Sequence, residues 1–307
     1  MGVKRLALLS LYLKVRAPTL EGEFYTIKNP FTLFRKSGSI TLSNGYSLEF
    51  NKENKKRILG LANFCLKTGI KLGNGPFQWK YYPENEVIET HQGIRFKLKG
   101  IEMLKETFLY QIHFSDSNFN GKSVVTAGAF VGDTPLFYSY YGAQVFSFEP
   151  SPSSYEIANE NIALNPNLSK NIVLNNFALG NEGMIEFPVE EDSGGSSIYD
   201  KKENVMVRNI RSATISTILT EFSIIDPYLL DLDIKGAEFD IINDGSISKF
   251  KKVRIEYSPY YFLNDDRKTL QFLLEKLKEY GFTKIRIYKH NDLRFDLANH
   301  GTIEAEK

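Results

Sequence analysis

Cysteine is all but missing from these 307 residues: Cys65 stands alone, which excludes an internal disulfide framework and a zinc site built from several cysteines. Histidine is scarce too. His91, His113, His290 and His300 lie far apart without metal-ligand spacing, so no metal centre is expected, and only a carboxylate-built site stays open. Neither charge sign predominates: 38 Lys and Arg against 37 Asp and Glu leave a net charge of +1. That balance, with no aromatic-basic recognition motif, argues against a nucleic-acid partner. Long apolar runs are also absent. The best candidate, 1–15 (MGVKRLALLSLYLKV), falls short of the roughly 20 residues a membrane helix needs. It has no small-residue cleavage site and carries Leu6 where a myristoylation pattern needs Ser or Thr. It reads as an amphipathic docking segment, and the expectation is a cytoplasmic protein without stable membrane insertion.

The length suffices for two domains, and two textures are visible. Up to residue 121 the pattern is strand-like and irregular, an expected smaller α+β accessory region over 1–121. Around Asn44-Gly45, residues 39–50 alternate apolar and polar, predicting a hairpin with a type I′ turn. Ile58, Leu59, Leu61, Ala62 and Cys65 follow helical spacing, with Cys65 as packing. From 122 to 307 apolar strands at 123–127, 144–149, 172–177, 228–234, 252–257 and 284–288 alternate with helical stretches at 134–141, 152–164 and 268–280. Strands separated by helix-length segments need crossovers, so this part is expected to be a doubly wound α/β domain with a mostly parallel sheet. Ligands of such sheets bind beyond the carboxyl ends of the strands, at the switch point.

The first strand there ends in Ala127-Gly128-Ala129-Phe130-Val131-Gly132-Asp133. Two glycines let the backbone approach a ligand and expose amides at the next helix start. The spacing is G-x-x-x-G rather than G-x-G-x-x-G, which fits an adenosyl cofactor better than a nicotinamide dinucleotide. Glu149 closes the second strand before Pro150, where a carboxylate can accept hydrogen bonds from both hydroxyls of a ribose. Asp233 and Glu256 occupy the ends of two later strands. Lys252, Arg254 and Glu256 are spaced by two and share a strand face, so an Arg254–Glu256 ion pair competes with a catalytic role for Glu256. The run at 190–197 reads as a solvated acidic loop, with a lid as the rival. Tyr257, Tyr260, Tyr261 and Phe262 read as completing the core, and His113 as a core or surface histidine.

Val124 to Thr134, Gly142 to Pro150, Asn161 to Asn165, Asn176 to Gly180, Gly194 to Ser197 and Asp231 to Glu238, taken in order and spacing, resemble the FkbM family of S-adenosylmethionine-dependent methyltransferases, in particular its archaeal-type members with an N-terminal extension. The resemblance runs over about 108–259 and implies a class I methyltransferase (Rossmann-like) fold, with O-methylation of a hydroxyl on a glycan or small metabolite. It implies that Thr126, Gly128, Ala129, Gly132 and Asp133 lie about the methionine part of the cofactor. Glu149 and Pro150 fall at the ribose, and Asn176, Phe177 and Ala178 at the adenine. Asp233, Glu256 and Lys235 fall on the acceptor side, Asp233 as first choice of base. Two positions depart from the family pattern: Thr126 stands where an acid usually precedes the first glycine, and Lys235 where D-x-E-G has its glutamate. These departures motivate the alternative reading, a cofactor-binding paralogue with weakened catalysis and a scaffold role. Lys235 also suits an anionic acceptor or a pairing with Glu238.

Overall fold

The computed structural model describes residues 27–110, 113, 118–188, 206–262, 265, 267–289 and 295–307. The segment 1–15, the acidic loop 190–197 and His290 lie outside the described residues. The chain divides into two compact units, Met1–Lys105 and Glu106–Lys307. The second begins ahead of the boundary expected at 121/122, for an aromatic reason. Phe108 packs edge-on against Phe137 with ring centroids 6.0 Å apart, and Phe119 against Tyr138 at 5.2 Å, so both rings join the second unit's packing.

In the first unit, β1 (Gly38–Thr41) and β2 (Ser47–Phe50) form the expected hairpin, with Ile40 opposite Leu48. Its turn differs from the expectation. The Leu42 N–H donates to the Tyr46 carbonyl and the Gly45 N–H to the Leu42 carbonyl, so three residues, 43–45, make the loop. Asn44 accepts the Tyr46 N–H on its side chain, and only Gly45 takes a positive φ, of 90°. An asparagine that bonds its neighbour's backbone favours this longer loop over the two-residue turn. α1 (Lys55–Thr68) buries Ile58, Leu61, Ala62, Phe64 and Cys65, and ends at Gly69 with φ 73°. Burial pushes the Cys65 thiol up to about 12, which keeps it protonated and inert. β3 (Lys80–Tyr82), β4 (Val87–Glu89) and β5 (Arg95–Lys97) complete the unit as an antiparallel sheet.

The second unit runs β6 (Ser123–Ala127), α2 (Asp133–Tyr140), β7 (Gln144–Phe148), α3 (Pro152–Ala163) and β8 (Ile172–Asn175). An inserted small sheet follows, of β9 (Ala178–Leu179), β10 (Gly183–Pro188) and β11 (Val207–Ala213). Then come α4 (Ile215–Glu221), β12 (Pro227–Leu232), α5 (Glu238–Ile241), β13 (Lys252–Tyr257), α6 (Leu270–Glu279), β14 (Lys284–Lys289) and β15 (Gly301–Glu306). Local signals start the helices. Ser151 caps α3 ahead of Pro152, and Thr269 caps α6, whose Leu273 and Leu277 face inward.

The main sheet has the order β14-β15-β13-β12-β6-β7-β8. Its strands are parallel except β15, which pairs antiparallel with both β13 and β14. This is the doubly wound, Rossmann-like α/β fold expected of a class I methyltransferase. The chain winds outward from β6 through β7 to β8, then returns to β12 on the other side of β6. The switch point, and hence the ligand crevice, therefore lies at the carboxyl ends of β6 and β12.

Alternation decides the two faces of the sheet. Val125, Ala127, Leu230, Leu232, Val253, Ile255, Ile303 and Ala305 share one apolar core with α6. On the other face Val124, Val145 and Leu229 pack under Phe119 and Tyr138. Two residues nearer the carboxyl ends, that face turns polar. Ser147, Thr126, Asp231, Arg254 and Glu304 sit side by side on five successive strands. At the middle, Arg254 Nη1 lies 2.8 Å from Asp231 Oδ1, and the Tyr138 hydroxyl donates to Asp231 Oδ2 at 2.9 Å. Both charged side chains are buried. Removing one partner of such a pair strands the other charge. Arg254→Met should destabilise the chain by about 3–5 kcal/mol, and Asp231→Leu with Arg254→Met should recover most of that, as read by urea unfolding. A double variant as unstable as the single one would show that the pair is not what matters there.

Candidate active site

One pleat repeat above the polar row the strands end, and the residues singled out in the sequence gather there. The Asp233 N–H still bonds the Ala127 carbonyl at 3.0 Å, carrying the β6–β12 pairing one step past the strands. Gly128 follows with φ 91°, and a Cβ at that position would lie 2.1 Å from the Asp233 carbonyl oxygen. The glycine is thus required by both torsion and space, and it clasps the first-strand turn against the fourth-strand end. Gly132, with φ 82°, precedes α2 and sits against Ala158 of α3. Between them Ala129 is fully buried, and Phe130 adopts an unusual φ of 42°.

Glu149 explains that strained turn. Its carboxylate accepts the Phe130 N–H at 2.9 Å on one oxygen and the Ser151 N–H at 2.9 Å on the other. Burial pushes its pKa up to about 7 even though these backbone donors favour the anion. Asn176, exposed, ties the same corner together by donating to the Glu149 and Pro150 carbonyls at 2.8 and 3.3 Å. Phe177 and Ala178 turn inward instead. The Phe177 ring packs 4.9 Å from that of Phe148 beneath the Arg211 guanidinium, and Ala178 pairs with Ser212. Asp133 opens α2, and its buried carboxylate accepts the Thr107 hydroxyl. Thr126 lies one rung below the crevice, buried, with its hydroxyl 2.7 Å from that of Ser147.

Asp233 and Glu256 come together at the ends of β12 and β13. The Asp233 side chain is 31% exposed, whereas that of Glu256 is only 8% exposed. Burial and the neighbouring Glu256 carboxyl hold Asp233 well above the usual carboxylate range, while Arg254 pulls it back only in part. Asp233 does not cap α5, whose N-cap is Ala237 with no side-chain cap hydrogen bond. The Arg254–Glu256 ion pair weighed against a catalytic role for Glu256 is present as a long contact, beside a shorter Arg254–Asp231 pair. Arg254 Nη2 is 4.0 Å from Glu256 Oε2, whereas Asp231 stands directly opposite on the adjoining strand. Side chains two apart along one strand are separated by about 6.6 Å of rise, more than the spacing between neighbouring strands.

Three further residues, not singled out in the sequence as site residues, join this group. His300 reaches Glu256 Oε1 with its Nε2 at 3.2 Å, and its partner strand β15 carried no motif. Asp231 was read only as part of a segment. Glu238 is fully buried and accepts the Ser258 N–H at 2.7 Å, while its other oxygen makes no hydrogen bond among the described residues. Lys235 is half-buried in the same strand-end turn, and Gly236 beside it takes φ 92°. His113 is buried, its Nδ1 3.9 Å from Asp231 Oδ2. The tyrosines after β13 complete packing: Tyr257 bonds the Leu297 carbonyl at 2.6 Å, and Tyr260 stacks on Phe295 at 4.3 Å.

A comparison with curated proteins found no match. Among solved structures, the chain is similar to the N-terminal domain of human METTL16 in complex with SAH, at 13% identity over 96% of this chain and 93% of that one, with a TM-score of 0.40. It is similar also to the precorrin-6y C5,15-methyltransferase of Geobacter metallireducens, at 11% identity over 67% and 89% of the two chains, with a TM-score of 0.34. The family comparison is decisive: residues 126–284, more than half of the chain, match the methyltransferase FkbM domain. The chain belongs to the FkbM methyltransferase family. Its reaction is methyl transfer, and its cofactor is S-adenosylmethionine. The residues of this family member suit that cofactor. The turn from Gly128 to Gly132 has no space for side chains at its two glycines, and Glu149 has acceptor positions beyond those its backbone donors use. No described helix is long and apolar enough to cross a membrane, and no described group of His, Cys, Asp and Glu is arranged to hold a metal.

Burial pushes Glu238 from its ordinary 4.5 up to about 8. Between those values the unfolded chain ionises at this site while the folded chain stays neutral, so stability falls as pH rises across the window. Glu238→Gln removes that slope. Its melting temperature should climb relative to the parent from pH 5 to pH 8, corresponding to up to about 1.4 kcal/mol per pH unit. A pH-independent difference would show that Glu238 stays ionised in the fold.

Proposed function

We propose that this enzyme O-methylates a hydroxyl of a glycan or small metabolite, with Asp233 accepting the hydroxyl proton and Glu256 sharing it. The observation that carries this reading is the carboxyl pair at the ends of β12 and β13, its Asp233 side chain partly open beside the Gly128 turn. In the same reading Glu149, with Pro150 after it, holds the ribose. Gly128, Ala129, Gly132 and Asp133 surround the methionine part, with Thr126 beneath them. Asn176 faces the adenine, backed by Phe177 and Ala178. S-adenosylmethionine supplies an electrophilic methyl group, so the residues have only to align the acceptor and take its proton. A carboxyl held above its usual range is a better proton acceptor at neutral pH than an ordinary surface carboxylate. Lys235, in the same turn, is placed to orient an anionic group on the acceptor. Near-neutral net charge supports a small-molecule or glycan acceptor over a nucleic acid.

Methyl-labelled S-adenosylmethionine offered with a panel of neutral and acidic glycans and hydroxylated metabolites tests the reading. With the acceptor found, Asp233→Asn should lower kcat about 10²–10⁴-fold at saturating cofactor. Glu149→Ala should act instead through cofactor affinity, raising the dissociation constant for S-adenosylhomocysteine by about 10- to 100-fold. Full activity in Asp233→Asn would remove it as the base, and methylation of nitrogen or carbon would overturn the O-methyl assignment.

A further inference from the structure

His300 stands just ahead of β15, beyond the 126–284 segment that matches the family. Thr302 is opposite Glu256 in the antiparallel β13–β15 pair, and His300 comes two residues earlier on the same face. A long side chain reaches its neighbour from that diagonal position. The imidazole does so: its Nε2 lies 3.2 Å from Glu256 Oε1, with both side chains buried. Several independent contacts fix the ring there. Tyr260 and Phe295 stack on each other at 4.3 Å, and His300 meets both at near right angles, at 5.5 and 5.7 Å. The Asp296 carbonyl accepts the N–H groups of Asn299 and His300 at 3.1 and 3.0 Å, and Asp296 Oδ1 accepts the Asn299 side-chain amide at 2.8 Å. Tyr257, next to Glu256 on β13, donates its hydroxyl to the Leu297 carbonyl at 2.6 Å. A Cβ on Gly301 would lie 2.4 Å from that hydroxyl oxygen and 2.6 Å from the Tyr288 carbonyl oxygen, so glycine lets the turn close on its neighbours. The turn 296–301 is thereby clamped to the strand that carries Glu256.

The clamp fixes the direction of a carboxylate. With Oε1 on His300, Glu256 has Oε2 4.0 Å from Arg254 Nη2, while Arg254 Nη1 lies 3.9 Å from Asp233 Oδ2. We propose that His300 is a positioning residue for methyl transfer, holding Glu256 in the orientation that sets the electrostatic surroundings of Asp233. The proposal rests on the reading of Asp233 as the proton acceptor. After burial, Glu256 is the next cause that holds Asp233 above its ordinary range. The other charged groups about the two acids are Arg254 and Asp231 one pleat repeat below and Glu238 of α5. Glu304 of β15 stands opposite Arg254, and Lys235 lies in the turn after Asp233. β6 brings Thr126 and the Gly128 backbone, neither of them charged.

Methyl transfer from labelled S-adenosylmethionine to the glycan and metabolite panel, measured on the full chain across pH, is the test. His300→Phe keeps an aromatic ring beside Tyr260 and Phe295 but offers Glu256 no nitrogen. Its kcat should fall by up to about 100-fold, the effect of a misplacement near 1 Å, with acceptor KM and S-adenosylhomocysteine affinity little changed. The low-pH limb of its kcat profile should also move down. A Glu256 turned away raises Asp233 less, and a base of lower pKa stays ionised to lower pH. His300→Gln supplies an amide at similar reach without the ring, and should restore most of kcat and return the limb. Full activity in His300→Phe, or a loss in His300→Gln as deep as in His300→Phe, would show that the bond to Glu256 is not what matters. A kcat loss with the parent's limb would likewise overturn the proposal. If His300→Phe does not fold, Tyr257→Phe takes its place. It releases the turn at Leu297 and should move the limb the same way, and an unmoved limb there would count against the proposal. A panel from which the parent methylates no member removes the proposed function and this inference together. An active His300→Phe beside an inactive Asp233→Asn removes this inference alone.

Discussion

A guanidinium buried between two parallel strands organises the working end of this sheet. Arg254 is paired across the strands with Asp231, and the Tyr138 hydroxyl closes the remaining carboxylate oxygen. Burying both charges is costly, so the arrangement holds only while β12 and β13 keep their register. That register also brings Asp233 and Glu256 to the same level at the strand ends. A slip of one residue by either strand would turn its two side chains to the apolar face, away from the other two. The ion pair contributes chiefly by making one alignment of two strands admissible, and the carboxyl pair above it inherits that alignment.

The Gly128 turn is tied to the same place by backbone contact. Gly128 lies against the Asp233 carbonyl with no room for a side chain, and the Asp233 N–H is held by Ala127. Any shift of the turn therefore shifts Asp233, and conversely. Glu149 anchors the other end of the turn through the Phe130 N–H, which accounts for the left-handed backbone of a phenylalanine. The Gly128–Gly132 turn and the end of β12 are thus one hydrogen-bonded unit.

The acids of the site differ in how their charge is met, and those differences separate their duties. Asp231 has a full counter-ion and a hydroxyl. Glu149 has backbone dipoles alone, Glu238 the backbone of Ser258, Gly236 and its own residue, Asp233 the Arg254 guanidinium at 3.9 Å, and Glu256 the His300 ring at 3.2 Å with Arg254 at 4.0 Å. Thr126, the residue that departs from the family pattern at the first strand, is bound to Ser147 inside this graded set and does not face the crevice.

What the sequence determined by itself was local. The alternation around Asn44-Gly45 marked a hairpin, the apolar runs marked six of the seven main strands, and the two glycines and Glu149 marked a ligand turn at strand ends. These follow from torsional preference, side-chain period and turn chemistry, all confined to a few neighbouring residues. Strand β15 escaped notice because it lies at the chain end and crosses no helix, and with it went His300. The short contact of Arg254 with Asp231, closer than that with Glu256, and the inward turn of Phe177 depended on which strands adjoin and in what register. Strand order and register come from burying faces contributed by segments tens of residues apart. Only the folded sheet could decide which acid faces the guanidinium across the strands.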